Sequence, residues 1–249
     1  MLTTKNLIIL LPHQDDEIAI LPLLDEIQNS INLKIIYLTT NKNEKLNQKR
    51  NNESLNVLKK IGIKKNDIFF LNNKHRIYDK NLYKKSNEVI KYLLSKKNLI
   101  TLDRDSTILT TSFEGGHPDH DASFFICMKI YKKLKYKKFM SFPLYNSEKK
   151  LMPFQAFKNI MKYNDQLIFI ETSLAKSFFY LKLIFTYKSQ MKTILSLFPF
   201  YLYRCLIKQS FILIDHSYNE NFISKPHQGK LFYEKRKWMA FESFKKSTF

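Results

Sequence analysis

The chain alternates short apolar runs with longer segments in which apolar residues recur at helical spacing. The first run, LIILL at 7–11, is continuously apolar, as expected for a parallel strand that is buried on both faces. Residues 44–61 instead place apolar side chains among many charges and are followed by Gly62, which predicts an exposed amphipathic helix. Other predicted strands are 33–39, 67–71 and 107–113, and other predicted helices are 17–29, 80–96 and 121–134.

This alternation of strands and helices predicts the fold class. Successive strand-helix units imply a parallel sheet with right-handed crossovers and helices on both faces. We therefore expect an α/β protein, a Rossmann-like three-layer α/β/α sandwich with a mostly parallel sheet. Beyond about residue 136 the pattern predicts an additional strand, helices near 151–163 and 174–196, and a C-terminal tail.

Length and composition favour one folded domain. The chain has 249 residues, of which 44% are hydrophobic and 14% aromatic, enough for a large core, so a disordered chain is excluded. Because no repeat or Gly/Ser linker divides it, we predict a single domain over 1–249, with a core of about 1–135 and an extension of about 136–249 packed on it. The two cysteines, Cys127 and Cys205, exclude a disulfide framework and fit a reducing compartment.

The net charge of +20 and the pI of about 9.7 suggest nucleic acid or an anionic membrane surface as partners. However, the basic residues are spread along a chain that is rich in Lys, Asn, Ile, Phe and Tyr and has four Gly, as an AT-biased coding sequence would give. We therefore expect no specific nucleic-acid partner. Lysines also keep every apolar run below the ~18 to 20 residues of a membrane-spanning helix. We expect a cytoplasmic location, with peripheral contact of segment 174–208 with the inner membrane face left open.

Two loops rich in His and Asp follow the first and the fourth predicted strand. His13, Asp15 and Asp16 come directly after the first strand, and EGGHPDHDA at 114–122 follows the fourth. The carboxyl ends of parallel strands lie on one edge of the sheet, where open α/β sheets bind ligands. Either loop alone is compatible with a simple helix cap, in which Asp accepts backbone N–H groups. Both loops together predict a metal site.

The spacing within the loops indicates which side chains could bind the metal. His13 and Asp16 are three residues apart at the turn into a helix, so both can face one point while Asp15 projects beside them. A third ligand from His117 or His120 would complete a set of two His and one carboxylate. Such a set leaves a fourth position open for water, as in a catalytic zinc site. Zinc is the expected metal, and another divalent ion stays open.

Both loops resemble motifs of a known family. PHQDDE at 12–17 resembles the [AP]-H-P-D-D-E motif of the PIG-L or LmbE-like deacetylases, with Gln14 where the family usually has Pro, and 114–122 resembles their second motif. This is the family of N-acetylglucosaminyl-phosphatidylinositol de-N-acetylase and its bacterial relatives. Further matches are Arg50 and Glu53 in an R-x-x-E pattern, YKSQ at 187–190 and PHQGKLFYE at 226–234.

The resemblance implies a zinc-dependent hydrolase that removes an N-acetyl group from an N-acetylated amino sugar or glycoconjugate and releases acetate. It implies that His13, Asp16 and His120 bind the metal and that Asp15 is the general base. A carboxylate beside a metal-bound water is suited to take its proton. The presence of Gln14 in place of the family's Pro is expected to change at most the stiffness of the loop.

The resemblance also implies roles for residues around the metal. It casts His117 as a protonated stabiliser or acid and Asp119 as the carboxylate that orients the His117 imidazole. Arg50 and His227 are candidate substrate contacts, although Arg50 could instead pair with Glu53 on the helix surface.

Several alternatives stay open. His75 and His216 have no partner evident in the sequence and are left outside the site. The same chemistry could act on a non-sugar amide, and a basic nucleic-acid- or membrane-surface-binding protein could share the fold. Neither the sugar and its linkage nor the oligomeric state follows from the sequence.

Overall fold

A computed structural model describes residues 4–28, 30–71, 76–96, 99–101, 103–148, 154–160, 166–217 and 224–248. The strands are β1 (Asn6–Leu11), β2 (Asn32–Tyr37), β3 (Ile68–Phe70), β4 (Ser106–Thr111), β5 (Lys138–Phe142), β6 (Tyr145–Asn146), β7 (Gln155–Ala156), β8 (Gln166–Glu171) and β9 (Ser210–Asp215). The α-helices are α1 (Leu21–Ile27), α2 (Glu44–Lys60), α3 (Leu82–Ser95), α4 (Pro118–Leu134), α5 (Leu174–Ile184), α6 (Met191–Tyr203), α7 (Phe232–Lys235) and α8 (Phe241–Thr248). The 3₁₀ helices are Asp16–Ile20, Lys65–Asp67 and Lys188–Gln190, and Arg204–Lys208 is π-helical.

The central sheet has seven strands in the order β3-β2-β1-β4-β5-β9-β8. Strands β3, β2, β1, β4 and β5 pair in parallel, whereas β9 is antiparallel to both β5 and β8. The chain passes from β1 to β2 and β3 on one side and then returns to β4 on the other side of β1. This reversal makes the carboxyl ends of β1 and β4 a topological switch point, where such sheets bind ligands.

Helices cover both faces of this sheet, as the alternating side chains of β1 illustrate. Leu7, Ile9 and Leu11 belong to the core beneath α1, α2, α5 and α6. Ile8 and Leu10 belong to the core beneath α3, α4 and α8. Both sets are buried because successive strand residues point to opposite faces. The predicted α/β fold class, a Rossmann-like three-layer sandwich with a mostly parallel sheet, is confirmed.

The structure corrects several predicted elements after β4. Within 154–160, the described part of the predicted helix 151–163, Gln155 and Ala156 form strand β7, so the helix is wrong there. The Gln155 side chain donates to Asn146 Oδ1 at 2.9 Å, and this contact with β6 replaces a helical turn. The predicted helix 174–196 is two helices, α5 and α6, separated by a 3₁₀ turn.

The segment after α4 also contributes more to the sheet than the one strand expected from the sequence. Strands β5, β9 and β8 extend the sheet beyond β4, and α5 and α6 cover one of its faces. Near the N-terminus, the first predicted helix begins as a 3₁₀ turn at Asp16. Among the described residues, no helix combines the length and the apolar character needed to cross a bilayer.

Candidate active site

The loops after β1 and β4 meet at one cavity of about 240 Å³. Strand β1 ends at Leu11 and β4 at Thr111, on the same edge of the sheet. The cavity is lined by the predicted site residues His13, Asp15, Asp16, Arg50, His117 and His120. The remaining predicted residues are Asp119, which is buried beside the cavity, and His227, which lies elsewhere.

The first loop is held in a turned conformation by its own acidic side chains. The backbone N–H of His13 donates to Asp16 Oδ2 at 2.8 Å, and that of Asp15 donates to Glu17 Oε2 at 2.9 Å. Asp15 has φ of 116°, in a left-handed region that non-glycine residues seldom adopt. Such a conformation persists only where surrounding contacts enforce it, and it is typical of functional sites. The Asp15 carboxylate makes no helix-capping hydrogen bond, so the simple cap does not explain this loop.

Gln14, which departs from the family motif, ties this loop to α2. Its side chain is buried, and Nε2 donates to Asn51 Oδ1 at 2.6 Å. The amide therefore anchors the loop through a contact that proline could not make.

Three imidazoles cluster where the two loops meet. One nitrogen from each of His13, His117 and His120 lies within 4.8 Å of the others. Asp16 lies against two of them, with Oδ2 at 3.4 Å from His13 Nδ1 and Oδ1 at 3.2 Å from His120 Nε2. The structure thus brings together all three residues that were expected to bind the metal, with His117 beside them.

The second loop is fixed by close contacts with the segment after β5. A Cβ atom on Gly116 would lie 1.9 Å from the carbonyl oxygen of Tyr145, so only glycine fits there. Glu114 Oε1 accepts the backbone N–H groups of Leu144 and Tyr145 at 2.6 and 2.7 Å. These contacts hold the Tyr145 ring 5.4 Å from that of His120. The glycine and the glutamate of this motif therefore shape the wall of the cavity.

His117 and Asp119 begin helix α4, and their contacts differ from the expectation. His117 Nδ1 accepts the backbone N–H of Asp119 at 3.1 Å and so caps the helix. The Asp119 carboxylate lies 3.1 Å from His13 Nε2 but 3.9 Å from His117 Nδ1. It also accepts the backbone N–H groups of Lys80 and Leu82, which turn it away from His117. The expected orienting role of Asp119 stays a prediction. Of the two imidazoles, that of His13 lies nearer to the Asp119 carboxylate.

Several lining residues were not predicted from the sequence. Asp79 Oδ1 lies 3.3 Å from His13 Nε2 and 3.2 Å from His117 Nε2, so Asp79 joins a second group of possible metal ligands with Asp119. The Trp238 ring lies 5.2 Å from that of His117. An isolated Asp outside a motif gives no sequence signal, whereas Trp238, the one Trp of the chain, follows the family-like segment 226–234 closely.

Burial and charge shift the pKa values of the clustered groups in different directions. Burial acts to lower the pKa of His13, but neighbouring carboxylates, led by Asp16, hold it well above its ordinary value. Burial acts to raise the pKa of Asp16, but the imidazoles of His120 and His13 hold it well below its usual range. Burial raises the pKa of Asp15, with help from the charge of Asp16, and lowers the pKa of His117. Asp16 therefore stays ionised between two imidazoles.

The R-x-x-E and Y-K-S-Q segments contact each other at the edge of the cavity. Arg50 Nη2 donates to Gln190 Oε1 at 2.7 Å. Glu53 accepts the backbone N–H of Ser189 at 3.0 Å and its hydroxyl at 2.5 Å. Arg50 is thus held by Gln190 in the cavity wall, and the contacts described for Glu53 are with Ser189.

The other histidines lie away from this cavity. His227 is buried beside a second, larger cavity with Ser147 and Lys235, and its Nδ1 contacts the carbonyl oxygen of Gln228 at 2.8 Å. His216 is buried, with Nε2 2.7 Å from Ser141 Oγ. His75 falls outside the described residues.

The residues present fit a divalent metal ion. Three imidazoles and an ionised carboxylate are the donor types that zinc and similar ions prefer. The buried Nδ1 of His120 has no hydrogen-bond partner among the described residues. A cluster of imidazoles with such an orphaned nitrogen is difficult to explain as ordinary core packing, because buried polar groups are normally hydrogen-bonded.

The fold and the site together define an α/β protein with a His/Asp cluster of metal-binding type at its topological switch point. Residues 8–131 match the PIG-L family model, described as GlcNAc-PI de-N-acetylase. These residues therefore form a PIG-L domain, and the activity class is that of a de-N-acetylase hydrolase.

Solved structures with a similar fold include two deacetylases. N,N'-diacetylchitobiose deacetylase from Pyrococcus horikoshii, in complex with its inhibitor MPG, has 13% identity and a TM-score of 0.53, with 88% of each chain covered. The zinc-inhibited form of teicoplanin deacetylase Orf2 has 11% identity and a TM-score of 0.55, with 84% of this chain and 97% of that chain covered. No curated protein sequence matches the chain.

Proposed function

We propose that the protein is a zinc-dependent hydrolase that removes the N-acetyl group of an N-acetylated amino sugar or glycoconjugate and releases acetate. The observation that carries the proposal is the convergence of His13, Asp16 and His120 with Asp15 and His117 in one cavity. The family description and the deacetylase neighbours support an N-acetylated sugar as the substrate class.

His13, Asp16 and His120 would hold the metal ion. When bound, such an ion polarises an amide carbonyl and lowers the pKa of a water molecule towards ~7. Asp15 lies next to Asp16 in the chain and lines the same cavity, so its carboxylate can accept the proton that water loses as its oxygen attacks the acetyl carbon.

The proton must then reach the amine as the carbon-nitrogen bond breaks. His117 lines the cavity beside His13 and His120 and would stabilise the charge that develops on the carbonyl oxygen. Asp15, once protonated, can return the proton to the leaving nitrogen, which gives acetate and the free amine. Arg50 is placed by Gln190 where its guanidinium can donate to hydroxyl or phosphate oxygens of the substrate.

Acetate release by the wild type and by Asp15→Asn tests this proposal. The panel contains free, nucleotide-linked and lipid-linked N-acetylated sugars and one non-sugar N-acetyl amide. We expect Asp15→Asn to retain the metal and to lose activity by about 10²- to 10⁴-fold, the usual contribution of a general base. Asp105→Asn is the matched control because Asp105 directly precedes β4, at the opposite edge of the sheet.

Metal content is measured on all three proteins. About one zinc ion per wild-type chain, with acetate released from a sugar, supports the proposal. Release from the non-sugar amide alone would assign the enzyme to a different substrate class. A wild-type protein that binds no divalent metal would contradict the proposed site.

A further inference from the structure

Exposed apolar side chains concentrate on one part of the surface that the structure describes. Phe178 is 55% exposed, Leu195 58% and Ile207 68%. Together with exposed neighbours they form what we call the docking face, which consists of Leu174, Phe178, Lys182 and Phe185 of α5, Lys192, Leu195 and Tyr203 of α6, and Ile207 and Lys208. Single exposed apolar residues are ordinary, but several on helices that contact one another indicate an interaction site.

The docking face follows from helical spacing. Leu174, Phe178 and Phe185 recur at intervals that place them on one side of α5, while Tyr180 and Ile184 on the other side are buried in the core. The Phe185 ring lies 5.4 Å from that of Phe198, which joins the exposed side of α5 to α6. Both helices therefore carry apolar side chains on the side that faces the core and on the side that faces solvent.

The segment that forms the docking face carries charge of a single sign. From 172 to 214 the sequence contains no Asp or Glu, whereas it contains five Lys and one Arg. Lys182, Lys192 and Lys208 are exposed on the same helical segments as the apolar side chains of the docking face. By contrast, Lys176 is paired with Asp25 at 2.9 Å. A helical segment that exposes apolar and basic side chains and contains no acidic residue is complementary to anionic lipid headgroups above an acyl layer.

We propose that the docking face binds the surface of a bilayer that contains anionic lipids. Apolar side chains would enter the boundary between headgroups and acyl chains, and the lysines would contact the headgroups. A symmetric contact between two copies of the chain would bring like charges together, which opposes self-association. Helix α6 also supplies Thr193 and Leu197 to the catalytic cavity, so docking would place that cavity close to the lipid surface. The inference does not depend on the proposed deacetylation.

Flotation of the full chain with vesicles tests this inference. The vesicles contain phosphatidylcholine alone or with about a third of phosphatidylglycerol, at about physiological salt. The apolar variant is Phe178→Ser/Leu195→Ser/Ile207→Ser, and the charge variant is Lys182→Gln/Lys192→Gln/Lys208→Gln. The matched control is Leu167→Ser/Phe169→Ser, because these side chains are 42% and 54% exposed on β8 but lie outside the docking face. Thermal unfolding checks that each variant is folded.

We expect the wild type and the control to float with anionic vesicles and not with neutral ones. The charge variant should bind about 100-fold more weakly, since each lysine near an anionic surface contributes roughly a factor of five. The apolar variant should not float. Absence of wild-type flotation would overturn the inference, as would equal flotation of the apolar variant. A wild-type dimer that dissociates in the apolar variant, without any flotation, would show that the face joins two copies instead.

Acetate release from a water-soluble substrate is recorded in parallel. None of the substituted residues lines the catalytic cavity, so all variants should keep wild-type activity on that substrate. A wild type that floats but releases no acetate from any member of the substrate panel would contradict the proposed function and leave the docking inference supported.

Discussion

Asp16 is the residue at which the two loops converge. Its carboxylate contacts imidazoles that follow different strands, and it also accepts the backbone N–H of His13. Burial alone would favour the neutral acid, yet two neighbouring imidazoles keep Asp16 ionised. The same side chain therefore shapes the first loop and supplies the negative charge that a cation requires.

Glu114 gives a prediction about the pH dependence of stability. Burial raises its pKa to about 7, against the opposing effect of its hydrogen-bond donors. A carboxyl whose folded pKa exceeds its unfolded value stabilises the fold in its neutral form, so this contribution is lost as the pH rises from about 4.5 through 7. Urea unfolding measures this effect. Over this pH range the free energy of unfolding of the wild type should fall by up to about 3 kcal/mol more than that of Glu114→Gln.

The comparison with Glu114→Gln separates Glu114 from the other buried acids. Glutamine keeps an oxygen that can accept the N–H groups of Leu144 and Tyr145 but cannot ionise. The unfolding free energy of the wild type minus that of Glu114→Gln should therefore fall between pH 5 and pH 8. A difference that stays constant with pH would mean that Glu114 does not titrate in this range.

The sequence predicted the centre of the site better than its wall. Two short motifs contain His13, Asp16 and His120. Each motif forms the turn that follows one strand, so its pattern is visible in the local sequence. Asp79 and Trp238 reach the cavity only because of how distant segments pack, and no local pattern encodes that packing. Periodicity and motifs therefore predicted which residues come together at the cavity but not the residues that surround them.

At the scale of elements, helix α2 and the 3₁₀ turn before α6 form one connected wall. Glu53 of α2 is buried and accepts two hydrogen bonds from Ser189, while Arg50 on the same helix binds the adjacent Gln190. The break between α5 and α6 thus places polar backbone and side chains against α2. A continuous helix, as predicted for 174–196, could not present Ser189 in this way.

Ser189→Ala tests this wall. Loss of the hydroxyl leaves a buried carboxylate oxygen of Glu53 without its donor, which should cost about 1–3 kcal/mol in the free energy of unfolding. Because Gln190 would lose its fixed position beside Arg50, the KM for substrate should rise more than kcat falls. Urea unfolding and steady-state kinetics measure the two effects.

Ser196→Ala is the matched control because Ser196 is exposed on α6 and its hydroxyl donates, among the described residues, to the carbonyl oxygen of Lys192. It should change stability by less than about 0.5 kcal/mol. A double variant, Glu53→Gln/Ser189→Ala, should cost less than the sum of its single changes if the pair interacts directly. Full additivity would argue against the contact.

The wrong helix at 154–160 illustrates a limit of local patterns. Gln155 is compatible with a helix, but its backbone pairs with Asn146 and its side chain binds the same residue. The preference of a few residues for helix is worth tenths of a kcal/mol each, whereas these tertiary hydrogen bonds are worth more together. The contacts between β6 and β7 therefore outweigh the helical preference of residues 154–160.

At the scale of the molecule, the sheet does not end where the strand-helix alternation ends. Strand β4 is buried along its whole length and pairs with β5 from Thr107 to Thr111. Cutting the chain after residue 135 would expose this edge and uncover the face beneath α5 and α6. The extension therefore completes the sheet, and a single domain over 1–249 stays a prediction.

Expression of residues 1–135 alone tests that prediction. The fragment should show no cooperative thermal unfolding and should aggregate, because unpaired central strands associate with other chains. The full chain, measured under the same conditions, should unfold in one transition. A fragment that unfolds cooperatively would mean that the first 135 residues are a domain by themselves.

The pairing of β1 with β4 makes the alignment of the proposed metal ligands depend on strand register. These strands are in parallel register with Leu10 opposite Thr110, and the loop with His13 and the loop with His120 emerge just beyond them. A slip of one residue would shift one loop by about 3.3 Å along the strand and reverse which side chains face the core. A mispaired chain would therefore not bind the ion. Metal uptake during refolding would then report the fraction of molecules in which these two strands are in the native register.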